Sequence, residues 1–284
     1  MILFKKSADL VSYTGAARKN GVKTGFVPTM GALHDGHISL ISEARRQNEL
    51  VVASIFVNPT QFNDPADFEK YPVTIEKDIS LLEEAGCDIL FLPSVAEIYP
   101  SGKDQQPHYE LGRLETMMEG KYRPGHFQGV CMVVDRLLQI VRPDNLYLGQ
   151  KDYQQCMVIK KLLELTAMDR KITINVSPTL REPDGLAMSS RNARLNAEER
   201  EQASGIFQAL STIKDQLKSG DLSKLTKRAT ESLITKGFNP DYVEIADADS
   251  LEPVRHWDGK QALVVLAAAF LNKVRLIDNI LLNR

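Results

Sequence analysis

Residues 26 to 37 read FVPTMGALHDGH, and no other stretch constrains the fold as tightly. A short apolar strand gives way, through Pro28 and Gly31, to an amphipathic segment with apolar residues at Ile38, Leu40, Ile41 and Ala44. Strand, glycine turn and helix-spaced apolar positions make the first βα unit of a parallel sheet. His34 and His37 fall at the helix start, where free backbone N–H groups and the positive end of the macrodipole suit an anion. Two imidazoles three positions apart share one helical face and can both reach a phosphate chain held there. Gly31 and Gly36 have no side chain to block its approach. Two plainer readings stay open: a capping or surface histidine, and half a zinc site. The pair lacks the H-E-x-x-H spacing, and no cysteine or acidic cluster stands nearby to complete a tetrahedron.

The alternation continues along the chain. Residues 1 to 21 read as a short strand and a helix, 23 to 29 as the first central strand, and 35 to 48 as the helix after it. LVVASIFV, Leu50 to Val57, is a continuous apolar run that suits a strand covered on both faces. It stops at Asn58-Pro59, where the proline cannot donate to a ladder. Thr74 is expected to cap a helix with apolar positions Ile75, Ile79, Leu82 and Ala85 that ends at Gly86. Asp88 to Leu92 reads as a strand, 93 to 125 as irregular, and Val130 to Val141 as helical. Asn145 to Leu148 is a further strand, followed by GQKD, a helix over 153 to 167 and a strand over Ile172 to Val176. This order predicts an α/β domain over residues 1–176 built on a Rossmann-like, doubly wound parallel sheet. The character then changes. REPDGLAMSSRNARL is polar and turn-rich, Asn196 with Glu199 makes a helix cap, and apolar residues recur at helical spacing from Ala203 to Leu217. A second helix near 222 to 236 and strands at Tyr242–Ala246, Ala262–Ala269 and Val274–Ile277 complete a smaller α+β domain over 177–284.

A chain of 284 residues fits two domains. With 43% hydrophobic and 25% charged residues it has an ordinary globular composition. A net charge of −2 gives no reason to expect nucleic acid or an anionic membrane as partner. The start, MILFKKSADL, lacks a signal-peptide core, and the longest apolar stretch, Ala262 to Leu271, is about half of what a bilayer requires. Cys87, Cys131 and Cys156 form no C-x-x-C and read as reduced, buried residues of a cytoplasmic protein.

Neither a Walker A loop nor a G-x-G-x-x-G is present, so a nucleotide site here is of another type. Three polar segments fall at loop positions: HDGH, GQKD and MSSRN. Lys151 offers a compact cation for a phosphate oxygen. Ser189 and Ser190 supply hydroxyls and turn N–H groups, and Arg191 adds a fork suited to phosphate. Each alone reads as an ordinary turn or a solvated charge. Together they describe a site for a triphosphate attacked at its α-phosphorus. Asn58 and Gln61 follow a strand end, where ligands of parallel sheets gather. Lys121, Arg123 and His126 make a small basic patch, either a solvated turn or a substrate contact.

FVPTMGALHDGH, IFVNPTQF, YLGQKDYQQ, REPDGLAMSSRN and the terminal VRLIDN together resemble the pantoate–β-alanine ligase (pantothenate synthetase) family over essentially the whole chain. HDGH and MSSRN are similar to the HIGH and KMSKS signatures of the wider nucleotidyltransferase superfamily. MSSRN lacks the second lysine of the latter, which leaves that role to Lys151 and Arg191.

The resemblance implies attack of (R)-pantoate on MgATP to give a pantoyl adenylate, then attack of β-alanine to give pantothenate and AMP. It implies ATP contacts from Met30, Gly31, Ala32, Leu33, His34, Asp35, Gly36 and His37. Further ATP contacts would come from Gly149, Gln150, Lys151 and Asp152, and from Leu180, Met188, Ser189, Ser190 and Arg191. His37 is the residue it assigns as general acid; charge stabilisation is its larger role, because pyrophosphate is already a good leaving group. His34, Lys151, Ser189, Ser190 and Arg191 are the other catalytic candidates. Gln61 would contact pantoate and β-alanine, and Gln155 pantoate. Mg²⁺ is implied without assigned ligands. A homodimer joined through the larger domain and a closing lid that carries MSSRN are implied too. Val73 stands where many relatives have arginine, and Leu180 where valine is usual. A different nucleotidyltransferase is opposed by VNPTQF and YQQ. A non-catalytic nucleotide sensor is opposed by the intact His37, Lys151, Ser189, Ser190 and Arg191.

Overall fold

Six strands within residues 2–177 pair in parallel, in the spatial order β1 (Ile2–Phe4), β4 (Ile89–Phe91), β3 (Leu50–Ile55), β2 (Thr24–Thr29), β5 (Asn145–Gly149) and β6 (Thr173–Ser177). The computed structural model describes residues 1–63, 65–102 and 107–283. It divides into two compact units: residues 1–116, 123–149 and 155–178 form the first, and residues 117–122, 150–154 and 179–284 the second.

In order, the chain forms β1 (Ile2–Phe4), α1 (Ser7–Lys19), β2 (Thr24–Thr29), α2 (Asp35–Gln47), β3 (Leu50–Ile55), a 3₁₀ turn at Pro59–Gln61, α3 (Pro65–Glu69), α4 (Ile75–Glu84), β4 (Ile89–Phe91), α5 (Val95–Ile98), a 3₁₀ turn at Gly112–Glu115, α6 (Met118–Tyr122), α7 (His126–Val141), β5 (Asn145–Gly149), α8 (Tyr153–Leu165) and β6 (Thr173–Ser177). Successive strand residues point to opposite faces, and both faces are apolar. Phe26, Val52 and Phe91 join a core with Leu138 and Ile159, while Val27, Val51 and Leu90 join another with Ile41 and Leu82. This is why β3 is buried at every position and reads as an unbroken apolar run. From β2 the chain builds outward through β3 and β4, and then returns to add β5 and β6 on the other side. The strand order therefore reverses between β2 and β5, the place where open α/β sheets bind ligands. Pairing of β2 with β5 stops at Phe26–Leu146. Pro28, two residues on, has no N–H to extend that ladder.

The second unit continues with α9 (Ala197–Ala203), α10 (Gly205–Asp215), β7 (Gly220–Asp221), α11 (Ser223–Thr235), β8 (Phe238–Asp247), β9 (His256–Trp257), β10 (Leu263–Leu271) and β11 (Val274–Leu281). Its main sheet is antiparallel, in the order β11-β10-β8. Leu210, Ile213 and Leu233 of α10 and α11 share a core with Ile245, Val265 and Leu276 of that sheet. The Asn196–Glu199 capping box starts α9 as expected.

Three differences from the sequence reading have local causes. Residues 93 to 125 are not simply irregular, since α5, α6 and a 3₁₀ turn lie there. α7 begins at His126, one turn before its continuous apolar run. The second unit is not one stretch from 177, because buried polar contacts tie two earlier segments into it. The Arg275 guanidinium holds both oxygens of Glu119 at 2.8 Å and Oδ2 of Asp241 at 2.8 Å. The Tyr242 hydroxyl donates to Glu119 Oε1 at 3.0 Å. Asp241 is the extra residue of a bulge, since Ala268 pairs with Tyr242 and Ala269 with Pro240; the bulge re-aims its carboxylate. Burial alone would lower the Arg275 pKa, but hydrogen bonds and charge from Glu119 and Asp241 raise it. Burial, reinforced by Glu119, raises the Tyr242 hydroxyl well above its ordinary value. No helix among the described residues is long and apolar enough to cross a membrane.

Arg275→Ala leaves two carboxylates without their cation. Removing one partner of a buried pair costs about 3–5 kcal/mol, so the midpoint of urea denaturation is expected to fall accordingly. An unchanged midpoint would show that the cluster contributes nothing net.

Candidate active site

In the first unit the site begins where β2 ends. Thr29 Oγ1 donates to Ser54 O at 2.7 Å and accepts from Gly31 N at 3.2 Å. Gly31 (φ +81°) and then Ala32 (φ 50°) adopt left-handed backbone. A Cβ on Gly31 would stand 3.0 Å from both Asp78 Oδ2 and Ile55 Cγ2. The left-handed conformation costs a non-glycine residue such as Ala32 roughly 1–2 kcal/mol, and the Asp78 carboxylate offsets it. This group is 0% exposed and accepts from Ala32 N and Leu33 N, both at 2.9 Å. Thr74, expected to cap α4, instead donates its hydroxyl to Asp78 Oδ1 at 3.0 Å and makes no side-chain cap bond.

This turn delivers the two histidines to the start of α2. His34 is the N-cap, and its Nδ1 accepts from Gly36 N at 3.2 Å. His37 Nδ1 accepts in turn from His34 N at 3.4 Å. The rings lie 4.1 Å apart between centroids. Capping and ligand roles are therefore compatible: each ring uses Nδ1 to cap, so its neutral form carries the proton on Nε2. That arrangement adds two N–H donors to the backbone donors of the helix start.

The second element is the Pro59–Gln61 turn. Asn58 is fully buried. Its Oδ1 accepts from Thr60 N at 3.3 Å, Thr60 Oγ1 at 3.0 Å and the Tyr99 hydroxyl at 2.9 Å. Its Nδ2 donates to Gly129 O at 3.0 Å and Gln61 Oε1 at 3.2 Å. Burial raises the Tyr99 hydroxyl above its ordinary value, against its bonds to Thr60 and Asn58. Gln61 Nε2 lies 2.9 Å from Met30 Sδ, which joins this turn to the first. α7 packs so closely that a Cβ on Gly129 would overlap the Thr60 carbonyl. His126, 5% exposed, contacts Gln61 O through Nδ1 at 2.7 Å and Arg123 through Nε2 at 3.0 Å. For His126 the solvated-turn reading is therefore corrected. Gln155 lies half-buried in the first turn of α8, also in this unit, as does Gly149 at the end of β5.

The second unit holds the other candidates. Asn279, 1% exposed, donates from Nδ2 to the carbonyls of Gln150 and Lys151, both at 2.9 Å, and accepts from Gln150 Nε2 at 3.1 Å. The backbone that carries Lys151 and Asp152 is thereby fixed, and Lys151 Nζ lies 3.7 Å from Asp152 Oδ2. Beside it Arg181 makes a bidentate pair with Asp278 at 2.7 and 3.0 Å, and its guanidinium lies 4.4 Å from the centre of the Phe207 ring. Burial raises the Asp278 carboxyl from its ordinary value, and Arg181 and Asn279 N–H pull the other way. Met188 N donates to Leu180 O at 3.0 Å, which brings those two predicted residues together. Ser189 caps the turn Ser190–Arg194 by accepting from Arg191 N at 3.3 Å. The sequence reading missed Asp78, Asn279 and the Arg181–Asp278 pair. VRLIDN contains two of them, but nothing in its spacing reveals their partners.

An open parallel sheet whose switch-point helix starts with two imidazoles defines an α/β protein built to take an anionic ligand at the carboxyl edge of its strands. A family model described as pantoate-beta-alanine ligase matches residues 2–281. The pantothenate synthetase of Cytophaga hutchinsonii is 46% identical over 285 residues, covering 99% of each chain. The crystal structure of pantothenate synthetase from Thermus thermophilus matches all of both chains with a TM-score of 0.89 and 38% identity. That of the ligase from Francisella tularensis, complexed with beta-gamma ATP and beta-alanine, matches with a TM-score of 0.82 and 39% identity over 100% and 98% of the chains. The chain belongs to the pantoate–β-alanine ligase family.

Asp78→Asn replaces an acceptor of two N–H groups with a partial donor. A stability loss of about 1–3 kcal/mol is expected for a buried group left unsatisfied, together with faster hydrogen exchange at Ala32 and Leu33. Unchanged exchange at those two amides would contradict the role given to Asp78.

Proposed function

We propose a division of labour among these residues for the reaction of the family. The chain is a ligase that condenses (R)-pantoate with β-alanine at the expense of ATP, through a pantoyl adenylate. In the first step a carboxylate oxygen of pantoate attacks the α-phosphorus of ATP and the bond to pyrophosphate breaks. In the second, the amine of β-alanine attacks the acyl carbon, AMP leaves and the amine sheds a proton.

The observation that carries the reading is the histidine-capped start of α2, with its rings 4.1 Å apart and the preceding turn held by Asp78. Met30 to His37 bind the triphosphate through backbone N–H groups and the Nε2–H donors of His34 and His37. His37 opposes charge growing on the pyrophosphate oxygens, with proton donation secondary. Lys151 and Arg191 supply cations, and Ser189 and Ser190 supply turn N–H groups and hydroxyls. Gly149, Gln150, Asp152, Leu180 and Met188 complete the ATP contacts. Gln61 contacts pantoate and β-alanine, and Gln155 pantoate. These amides bind a carboxylate and hydroxyls without a charge of their own.

Mg²⁺ enters as MgATP. Among the described residues no group of three His, Cys, Asp or Glu side chains could hold a metal, and an ion bound through phosphates and water needs none. The first unit takes nucleotide and pantoate. The second acts as a lid, which shields the adenylate from water. A cytoplasmic homodimer completes the reading.

Supplied with MgATP and pantoate, the chain should release pyrophosphate; AMP should follow only when β-alanine is added. Pyrophosphate release without pantoate would favour a different nucleotidyltransferase. Lys151→Ala should slow single-turnover adenylate formation on the order of 10²-fold, the effect of losing one transition-state donor; a tenfold loss or less contradicts its role. Hydrogen exchange at residues 188 to 192 should slow when ATP is added, and unchanged exchange counts against a lid.

A further inference from the structure

The contacts of His126 specify the protonation of its ring. A guanidinium only donates hydrogen bonds, so the contact of Arg123 Nη1 with His126 Nε2 at 3.0 Å makes Nε2 an acceptor without a proton. A carbonyl only accepts, so the contact of Nδ1 with Gln61 O at 2.7 Å makes Nδ1 the donor. One tautomer satisfies both bonds: neutral, protonated on Nδ1. This is opposite to the tautomer that the caps dictate for His34 and His37. The alternative tautomer would turn N–H against N–H at Arg123 and lone pair against lone pair at Gln61. At Gln61, where the contact is buried, no water is at hand to relieve the clash.

The carbonyl so held belongs to Gln61, whose side chain is gripped separately by Asn58 Nδ2 at 3.2 Å. The floor beneath is the backbone of α7 at Gly129, too close for any side chain. Backbone and floor of this one residue are set by α7, and its side chain by Asn58, which is itself bonded to the Gly129 carbonyl of α7. We propose that His126 is a positioning residue of the ligase: its Nδ1–H fixes the Gln61 turn for the carboxylate substrates, and Arg123 enforces the tautomer that does so. The proposal rests on the reading of Gln61 as the contact for pantoate and β-alanine. It converts part of the basic patch from a charge for the substrate into a brace behind the substrate-binding residue.

Asparagine and glutamine separate the two ring nitrogens. The side-chain nitrogen of asparagine can stand where Nδ1 stands, whereas the terminal amide of glutamine matches Nε2. In the full-length chain, His126→Asn should keep KM for pantoate and β-alanine within about threefold of the parent. His126→Gln should raise both on the order of tenfold, the effect of one lost buried hydrogen bond, with KM for ATP nearly unchanged. Equal behaviour of the two variants, or a parallel rise in KM for ATP, overturns the proposal. Gln61→Ala is the control for the underlying reading: unchanged KM for both carboxylate substrates overturns the Gln61 assignment and the inference with it. Raised values there, combined with equal His126 variants, overturn the inference alone. Should either His126 variant fail to fold, a long-range ¹H–¹⁵N spectrum of the parent chain decides. It should show His126 protonated at Nδ1 and bare at Nε2, and any other ring state refutes the proposal.

Discussion

A carboxylate removed from water and bonded to two backbone N–H groups is the constraint on which the first half of the site depends. Asp78 reaches from the first turn of α4 to Ala32 and Leu33. Without it the left-handed pair Gly31–Ala32 would lack the bonds that offset its strain. The position of the first turn of α2 follows from that pair, and with it the direction in which His34 and His37 present their rings. A charge-assisted bond to an N–H is stronger than a neutral one, which suits an acidic residue to this task. The candidate anion-binding helix is thus aimed by a carboxylate behind it.

The same device recurs with other chemistry. Asn58 ties the turn that carries Gln61 to the Gly129 carbonyl, His126 holds the carbonyl of Gln61 itself, and Asn279 holds those of Gln150 and Lys151. In each case a buried polar group is satisfied by main chain from elsewhere, so an irregular segment gains the rigidity of regular structure. Loops positioned in this way can bear function without the variability that loops otherwise show.

The alternation of strands and helices was legible because both faces of the sheet are apolar, so β2 and β3 appear as apolar runs and α2 as an amphipathic one. HDGH, GQKD and MSSRN stand out because glycine, lysine and serine gather where the periodicity lapses. Strand ends were less legible. β11 runs to Leu281 rather than stopping at Ile277, because Asp278 and Asn279 look like a turn until Arg181 and the carbonyls of Gln150 and Lys151 are seen to satisfy them. α7 likewise starts at His126, whose polarity imitates a loop. The partners of Asp78 and Glu119 were invisible, since they lie 46 and 156 residues away in the chain and no periodicity spans such a distance.

The second unit draws on three separate pieces of chain, so the polypeptide passes from one unit to the other after residues 116, 122, 149, 154 and 178. It cannot be severed at one peptide bond into two self-sufficient fragments. A fragment that began at residue 179 would carry Arg275 and Asp241 but abandon Glu119, and would carry Asn279 but abandon the carbonyls it clasps. During synthesis Glu119 and Gln150 wait for 156 and 129 further residues before they meet their mates. The candidate phosphate-binding lysine at position 151 is therefore set in its final place only when β11 arrives.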